Sequence, residues 1–274
     1  MEKMPELKLD GCSLHYQTAG QGSPIVFIHA GVADLSMWAQ QVEAFKDQHQ
    51  VVTYDTRGYG QSFTEDVEFS NRQDLKNLLD SLGLKQVVLV GCSRGGSIAI
   101  DFTLEFPEYV RALVMVCAGV NGVDFSAFEP TEAEQQFWGQ MEALAAAQDW
   151  EPLSHLEARY WLDGPNSPEH RADPDLRAYI QQAMLKKYQK HQHSGKPSVL
   201  NPPAGQRLSE IQIPVLVMQG LHDESPTVFM ADHLAQHLPN VRKVTFEDAA
   251  HVPNLEVPEQ FNAALQEFLE RAEG

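Results

Sequence analysis

The sequence predicts an α/β fold: a mostly parallel, doubly wound sheet interrupted by one helical insertion. Three observations carry this. Short buried runs of Val, Ile and Leu alternate with stretches of helical periodicity, the pattern of parallel strands covered on both faces. The alternation stops near residue 120 and resumes near residue 207. The chain has 274 residues, 43% of them hydrophobic and 21% charged, which is enough for one large core carrying an insertion.

The elements follow in order. Leu14–Thr18 reads as an early strand, and Pro24–Ile28 as a compact buried one. Trp38 to Phe45 has helical spacing, and Val51–Tyr54 is again strand-like. Leu75, Leu78, Leu79 and Leu82 stand at i, i+3, i+4 and i+7, so they form one face of a helix, closed by Gly83. Val87–Val90 is a third buried run, Ser97 to Phe106 is helical, and Ala112–Val116 is strand-like. From about Val120 to about Gln206 no β-like run is found; Ala133–Gln148 and Leu176–Gln192 read as helices instead. Val215–Gln219, Ala231–Leu238, Val241–Phe246 and Pro258–Arg271 restore the strand–helix rhythm. The expected division is therefore a core of residues 1–119 and 207–274, with 120–206 inserted.

The formal net charge is −18, from 38 acidic and 20 basic residues. Nucleic acid and anionic membranes both require basic surfaces, so neither is an expected partner. The same excess should mildly disfavour anionic substrates, unless local charge at a pocket overrides it. Cys12, Cys92 and Cys117 are too few and too scattered for a disulfide framework or a metal site. No metal and no cofactor are expected. The opening residues have no apolar stretch of leader length, and no run approaches a membrane span. The expected setting is soluble and cytoplasmic.

Chemistry is concentrated in Gly91-Cys92-Ser93-Arg94-Gly95, directly after a buried strand and before a helix. A tight strand-to-helix turn lifts its central side chain above the sheet and needs small neighbours two positions away. Ser93 is the candidate nucleophile, at the positive end of a helix dipole. The Arg94 backbone N–H would point to where an oxyanion forms. A glycine-rich turn with an incidental serine is the bland alternative; the strand before and the helix after argue against it. Cys92, one residue short of the apex, should face the core.

A serine hydroxyl needs a base, and His251 is the candidate because it follows the last strand, at the edge where such sheets hold ligands. His155, His170, His191 and His193 fall in the insertion, and His233 and His237 on a surface-type helix. Asp223, after the strand Val215–Gln219, is the candidate carboxylate that fixes the imidazole tautomer; Glu224 and Asp248 are the alternatives. Gly31, in the loop after Pro24–Ile28, is the candidate second oxyanion donor, with Val32 one residue out of register. His29 is expected to brace that loop.

These pieces resemble the α/β-hydrolase fold family, in its cap-bearing esterase and haloperoxidase-like branch. The resemblance rests on His29-Ala30-Gly31 with Trp38, the block Asp55–Ser62, Gly91–Gly96, Gly220–Asp223 and Ala250–Pro258, and covers nearly all of the chain outside about 120–206. It implies an eight-stranded sheet, the catalytic order Ser93, Asp223, His251, and a helical cap at 120–206. It also implies that Asp55 and Arg57 are scaffold. Two positions depart from the family pattern: Ala30 stands where a Gly is usual, and Ala250 precedes the histidine. Cys117–Val120 offers no carboxylate where some relatives carry one, which favours Asp223.

The expected activity is hydrolysis of small to medium carboxylic esters through an acyl-enzyme, on a small-molecule ester-like substrate. Lactone or carbon–carbon hydrolysis, perhydrolysis and acyl transfer remain open on the same triad, as does a ligand receptor with weak turnover. Trp38, Trp138 and Trp161 are candidate substrate-binding residues, although aromatic residues there could simply pack. The run Lys186-Lys187 with Lys190 reads as a solvated face.

Overall fold

A computed structural model describes residues 5–126, 128–190 and 195–273. His191 and His193 lie outside the described residues, as do residues 1–4.

Eleven strands appear among the described residues: β1 (Glu6–Leu9), β2 (Cys12–Ala19), β3 (Ser23–Ile28), β4 (His49–Tyr54), β5 (Phe63–Thr64), β6 (Glu68–Phe69), β7 (Val87–Cys92), β8 (Val110–Val116), β9 (Lys196–Pro197), β10 (Val215–Gly220) and β11 (Val241–Phe246). The helices are α1 (Ala39–Phe45), α2 (Asn71–Leu82), α3 (Arg94–Glu105), α4 (Glu132–Ala146), α5 (Trp150–Asp163), α6 (Pro174–Lys190), α7 (Ser225–His237), α8 (Pro253–Glu256) and α9 (Pro258–Glu273). The main sheet runs β1-β2-β4-β3-β7-β8-β10-β11, eight strands as the resemblance implied, with β5 pairing beside β2. Pairing is parallel from β4 to β11 and antiparallel at β1 and β2.

Alternation along each central strand divides the core in two. Val26, Ile28, Val87 and Leu89 face one layer with Leu75, Ile98 and Met230. Ile25, Phe27, Val88 and Val90 face the other with Phe45, Phe261 and Leu265. The leucine face of α2 is fully buried at Leu75, Leu78 and Leu79. Ser70 caps its first turn, and Gly83 ends it at φ 68. Residues between β8 and β10 add α4, α5 and α6 and no strand to the main sheet. The expectation of no β-like run there needs one correction: β9 makes a two-residue parallel pair with β6. It was illegible because Lys196-Pro197 has no strand composition; Gly195 (φ 61) turns the chain onto β6. The helix α5 and the short edge strand β1 also carried too weak a pattern to be read.

Register brings the strand ends together. Ile28 pairs with Gly91, Gly91 with Met115, Val116 with Met218, and Gly220 with Phe246. The loops that follow β3, β7, β8, β10 and β11 therefore leave one edge of the sheet. Among the described residues no helix is long and apolar enough to cross a membrane.

Candidate active site

Ser93 stands between β7 and α3 with φ 53 and ψ −117, a conformation that L-residues adopt only under strain. The flanking glycines are sterically required. A Cβ on Gly91 would lie 2.3 Å from the Gly95 carbonyl oxygen, and one on Gly95 only 2.2 Å from that of Ile28. The turn is so tight that any side chain two residues away would strike backbone. Cys92 is fully buried, with its Sγ directed to the His251 carbonyl oxygen at 3.6 Å. Burial pushes its thiol pKa well above the ordinary range, which suits packing and not nucleophilic attack.

Asp223 and His251 meet across 28 residues. His251 Nδ1 lies 2.9 and 2.8 Å from the two Asp223 carboxylate oxygens. A carboxylate cannot donate, so Nδ1 carries the proton and Nε2 is left as the acceptor. His251 is 2% exposed and Asp223 5%. Nε2 is buried and has no hydrogen-bond partner among the described residues. Burial pushes the His251 pKa down, but the adjoining Asp223 charge and its hydrogen bond outweigh it, and the net shift is upward. Asp223 is further held by the Glu224 backbone N–H, which donates to Oδ1 at 2.8 Å. Among the described residues Ser93 makes no hydrogen bond to His251; the contact nearest to it is that of the adjoining Cys92 thiol with the His251 carbonyl oxygen. Glu224 is engaged elsewhere, accepting from the Tyr160 hydroxyl at 2.5 Å.

Gly31 and Arg94 are adjacent: a Cβ on Gly31 would sit 3.8 Å from Arg94 Cβ. As the first residue of α3, Arg94 has an N–H that the helix does not use. His29 braces this loop. Its Nδ1 donates to Ala30 O at 2.7 Å, and its Nε2 accepts from the Thr56 backbone N–H at 3.1 Å. Burial lowers its pKa to about 4, so it stays neutral and engaged at both nitrogens. Asp55 accepts from the Leu35 and Gln61 backbone amides at 2.8 Å each, and Arg57 grips buried Asp74 through Nε at 2.6 Å and Nη2 at 2.9 Å. Both serve as scaffold.

The three tryptophans separate. Trp161 lies against the imidazole, ring centroids 4.2 Å apart, and its carbonyl oxygen accepts from the His251 N–H at 3.2 Å. Trp38 requires a correction. It is fully buried between Phe27 (4.9 Å) and Phe261 (6.1 Å). A side chain with no exposed surface packs the core and lines no cavity. Trp138 donates to the Tyr160 hydroxyl at 2.7 Å and makes no ring or hydrogen-bond contact with Ser93 or His251. Elsewhere in the helices the aromatic residues pack on each other, as in Trp150 stacked on Tyr188 at 5.0 Å.

Sequence reading missed the support of the His251 loop. Glu256 accepts from the backbone N–H of Ala250 (3.0 Å) and of Val252 (3.2 Å), one on each side of His251. Arg171 reaches over from the segment between α5 and α6 to pair with Glu256 at 2.5 Å, and donates to the Asp248 carbonyl oxygen at 2.7 Å. Glu256 was visible only as part of a motif; nothing in the sequence signalled Arg171. Glu256→Gln should lower kcat/KM about 10–100-fold through misplacement of the imidazole. It should also destabilise the fold by about 1–3 kcal/mol. Steady-state kinetics beside thermal unfolding of both proteins would check this; an unchanged kcat/KM contradicts it.

Among the described residues, the trio close enough for a metal ion is Cys117, Asp223 and His251, with ligand atoms within 4.8 Å. Burial raises the Cys117 thiol pKa well above its ordinary value, and Sγ approaches the Ala250 carbonyl oxygen at 3.5 Å. A protonated thiol and an imidazole already tied to the carboxylate form a poor ligand set.

A cavity of about 470 Å³ opens beside Gly31 and Val32, walled by Tyr59 and Gly60 and by Ala183, Lys186, Lys187 and Lys190 of α6. Ser93 and His251 are not in its lining. The lysines read from sequence as a solvated face thus form one side of a concavity, because α6 lies across the loops after β3 and β4.

A doubly wound sheet with a serine on a left-handed turn, near a buried carboxylate–imidazole pair, defines a protein of hydrolase architecture. The chain belongs to the α/β-hydrolase fold family: the model for "alpha/beta hydrolase fold" matches residues 23–258. It is 27% identical over 265 residues to 3-oxoadipate enol-lactonase 2 of Acinetobacter baylyi, spanning 94% of each chain. It is 29% identical over 277 residues to 2-hydroxy-6-oxononadienedioate/2-hydroxy-6-oxononatrienedioate hydrolase of Burkholderia vietnamiensis, covering 96% of this chain and 93% of that protein. The enol-lactonase structure from Burkholderia xenovorans LB400 shares the fold, with a TM-score of 0.77 at 24% identity over 97% of this chain and all of the other.

Proposed function

We propose that this hydrolase cleaves small to medium carboxylic esters through an acyl-enzyme formed on Ser93. The observation that carries the reading is the state of His251: one nitrogen tied to Asp223, the other buried and without a partner among the described residues. An imidazole so held is a base awaiting a proton donor within reach.

Ser93 Oγ attacks the carbonyl carbon as its proton passes to His251 Nε2. Asp223 keeps the proton on Nδ1 and stabilises the imidazolium. The N–H groups of Gly31 and Arg94 hold the oxyanion. As the tetrahedral intermediate collapses, Nε2 returns the proton to the leaving alcohol. Water then attacks the acyl-enzyme by the same route and frees the acid. Residues 120–206 act as a cap over this chemistry, with Trp161 as a wall beside the imidazole. Three buried free thiols support a reducing, cytoplasmic setting. A second reading, lactone opening, draws on the relative named an enol-lactonase and uses the same steps.

Incubation with a p-nitrophenyl alkylphosphonate tests the mechanism. One adduct per chain is expected, on the peptide containing Ser93, with parallel loss of p-nitrophenyl ester turnover. An adduct on another residue, or turnover that survives full labelling, overturns the proposal. A γ-lactone assayed beside the ester series separates the two readings by relative kcat/KM.

A further inference from the structure

Three lysines face the cavity beside Gly31, in a chain where acids outnumber bases 38 to 20. Lys187 Nζ lies 4.8 Å from the Tyr59 ring centroid, and the Arg94 guanidinium 4.6 Å from the same centroid. Arg94 is held by neutral acceptors, Thr56 Oγ1 at 2.6 Å and Asn71 Oδ1 at 3.2 Å. Lys190 Nζ donates to the Gly60 carbonyl oxygen at 2.9 Å. Among the described residues no carboxylate comes within 4.0 Å of the charged atoms of Arg94, Lys186, Lys187 or Lys190. The one acid in the cavity wall, Asp34, is already engaged by the Ser36 N–H at 2.9 Å and its hydroxyl at 2.5 Å. Glu157, whose charge also acts on this region, accepts from the Tyr188 hydroxyl at 2.7 Å.

Lysines in the last turn of a helix are ordinarily explained by its dipole. Here, however, Lys187 and Lys190 extend away from their helix to Tyr59 and Gly60. Burial pushes the Tyr59 phenol up, but Arg94 and Lys187 outweigh it and hold its pKa below the ordinary value. A field that favours a phenolate also favours a ligand anion. The helix C-terminus contributes partial negative charge from behind, which suits a monoanion better than a phosphate dianion.

We propose that this cavity receives a free carboxylate carried by the ester or lactone substrate, held by Lys186 and Lys187 beside Tyr59. This rests on the hydrolase reading and names its substrate class: half-esters or lactones bearing an acid. Cavity and oxyanion loop share Gly31, so a carboxylate bound there would lie on the side of the proposed oxyanion donor. Net negative charge on the rest of the surface would deter anions that the lysines do not capture.

Monomethyl glutarate and dimethyl glutarate test this as a pair. The native enzyme should favour the half-ester by about tenfold or more in kcat/KM, with the margin shrinking in high salt. In a Lys186→Met/Lys187→Met double variant the half-ester should lose about 10–100-fold, mainly through KM, while the diester is unchanged. A native preference for the diester, or equal losses on both, overturns the carboxylate site. Continued diester turnover with labelling at Ser93 would then leave the hydrolase reading standing. If neither ester is turned over, calorimetry with glutarate decides: binding weakened about tenfold in the double variant supports the site, and no binding to native protein sinks it. Methyl esters bearing a phosphate in place of the acid, if preferred, would reassign the pocket to phosphate.

Discussion

Ser93→Ala should lower kcat for p-nitrophenyl esters about 10⁴–10⁶-fold while leaving KM within a few-fold, because the hydroxyl is the atom that bonds to substrate. Alanine inherits the same unfavourable backbone at φ 53, so folding should be nearly unaffected. Ser93→Gly sharpens the test. Glycine adopts positive φ without steric cost, so this variant should unfold at higher temperature than the native enzyme while being equally inactive. A serine kept for structure would behave in the opposite way, with stability lost and turnover retained. Gain of stability with loss of activity is the expected mark of strain maintained for chemistry. Kinetics and thermal unfolding on the three proteins give the answer, and activity surviving in Ser93→Ala would end the assignment.

Asp223→Asn should cost about 10³–10⁴-fold in kcat, since an amide no longer enforces a proton on Nδ1 or stabilises the imidazolium. The pH profile adds a test of direction. In the native enzyme kcat/KM should rise with pH as His251 loses its proton, with a midpoint above the ordinary histidine value of about 6.5, because Asp223 raises that pKa. Without the carboxylate, burial is left as the main influence, so the residual activity should show a lower midpoint. Stability follows the same linkage. A histidine whose folded pKa is raised contributes stability below its unfolded pKa and loses it as pH rises through the folded value. The native melting temperature should therefore fall more steeply than that of Asp223→Asn from pH 6 upward. A midpoint that stays put in the variant would mean that Asp223 does not govern His251.

Much of the fold was legible because its signals are local. The β-branched run before Gly91 and the glycines around Ser93 dictate a strand, a bend and a helix within ten residues, and no distant contact is needed to read them. Gly83 closing α2 is of the same kind, whereas the order of Ser93, Asp223 and His251 rests on the family resemblance. The short edge strand β1 and the β6–β9 pair were not legible, since two to four residues of ordinary composition form strands only when a partner edge is supplied. Trp38 illustrates a different limit. Its place after the Gly31 loop admitted a pocket wall beside the favoured core position, and the packing of Phe27 and of Phe261 from α9 decided for the core.

The sequence by itself determined the class of sheet and the tight turn at Ser93, because each is set by short segments whose backbone geometry depends on their own residues; Asp223 and His251 it offered as candidates, by their places after two strands. Only the tertiary structure decided what surrounds them. Arg171 meets Glu256 across 85 residues, and Lys190 meets Gly60 across 130. Such contacts depend on where helices cross over the sheet, and side-chain periodicity along one element carries no record of which loop will lie opposite. For that reason three lysines that look like solvent-facing charge along the chain become, once α6 lies over the loop at Gly31, one wall of a cavity.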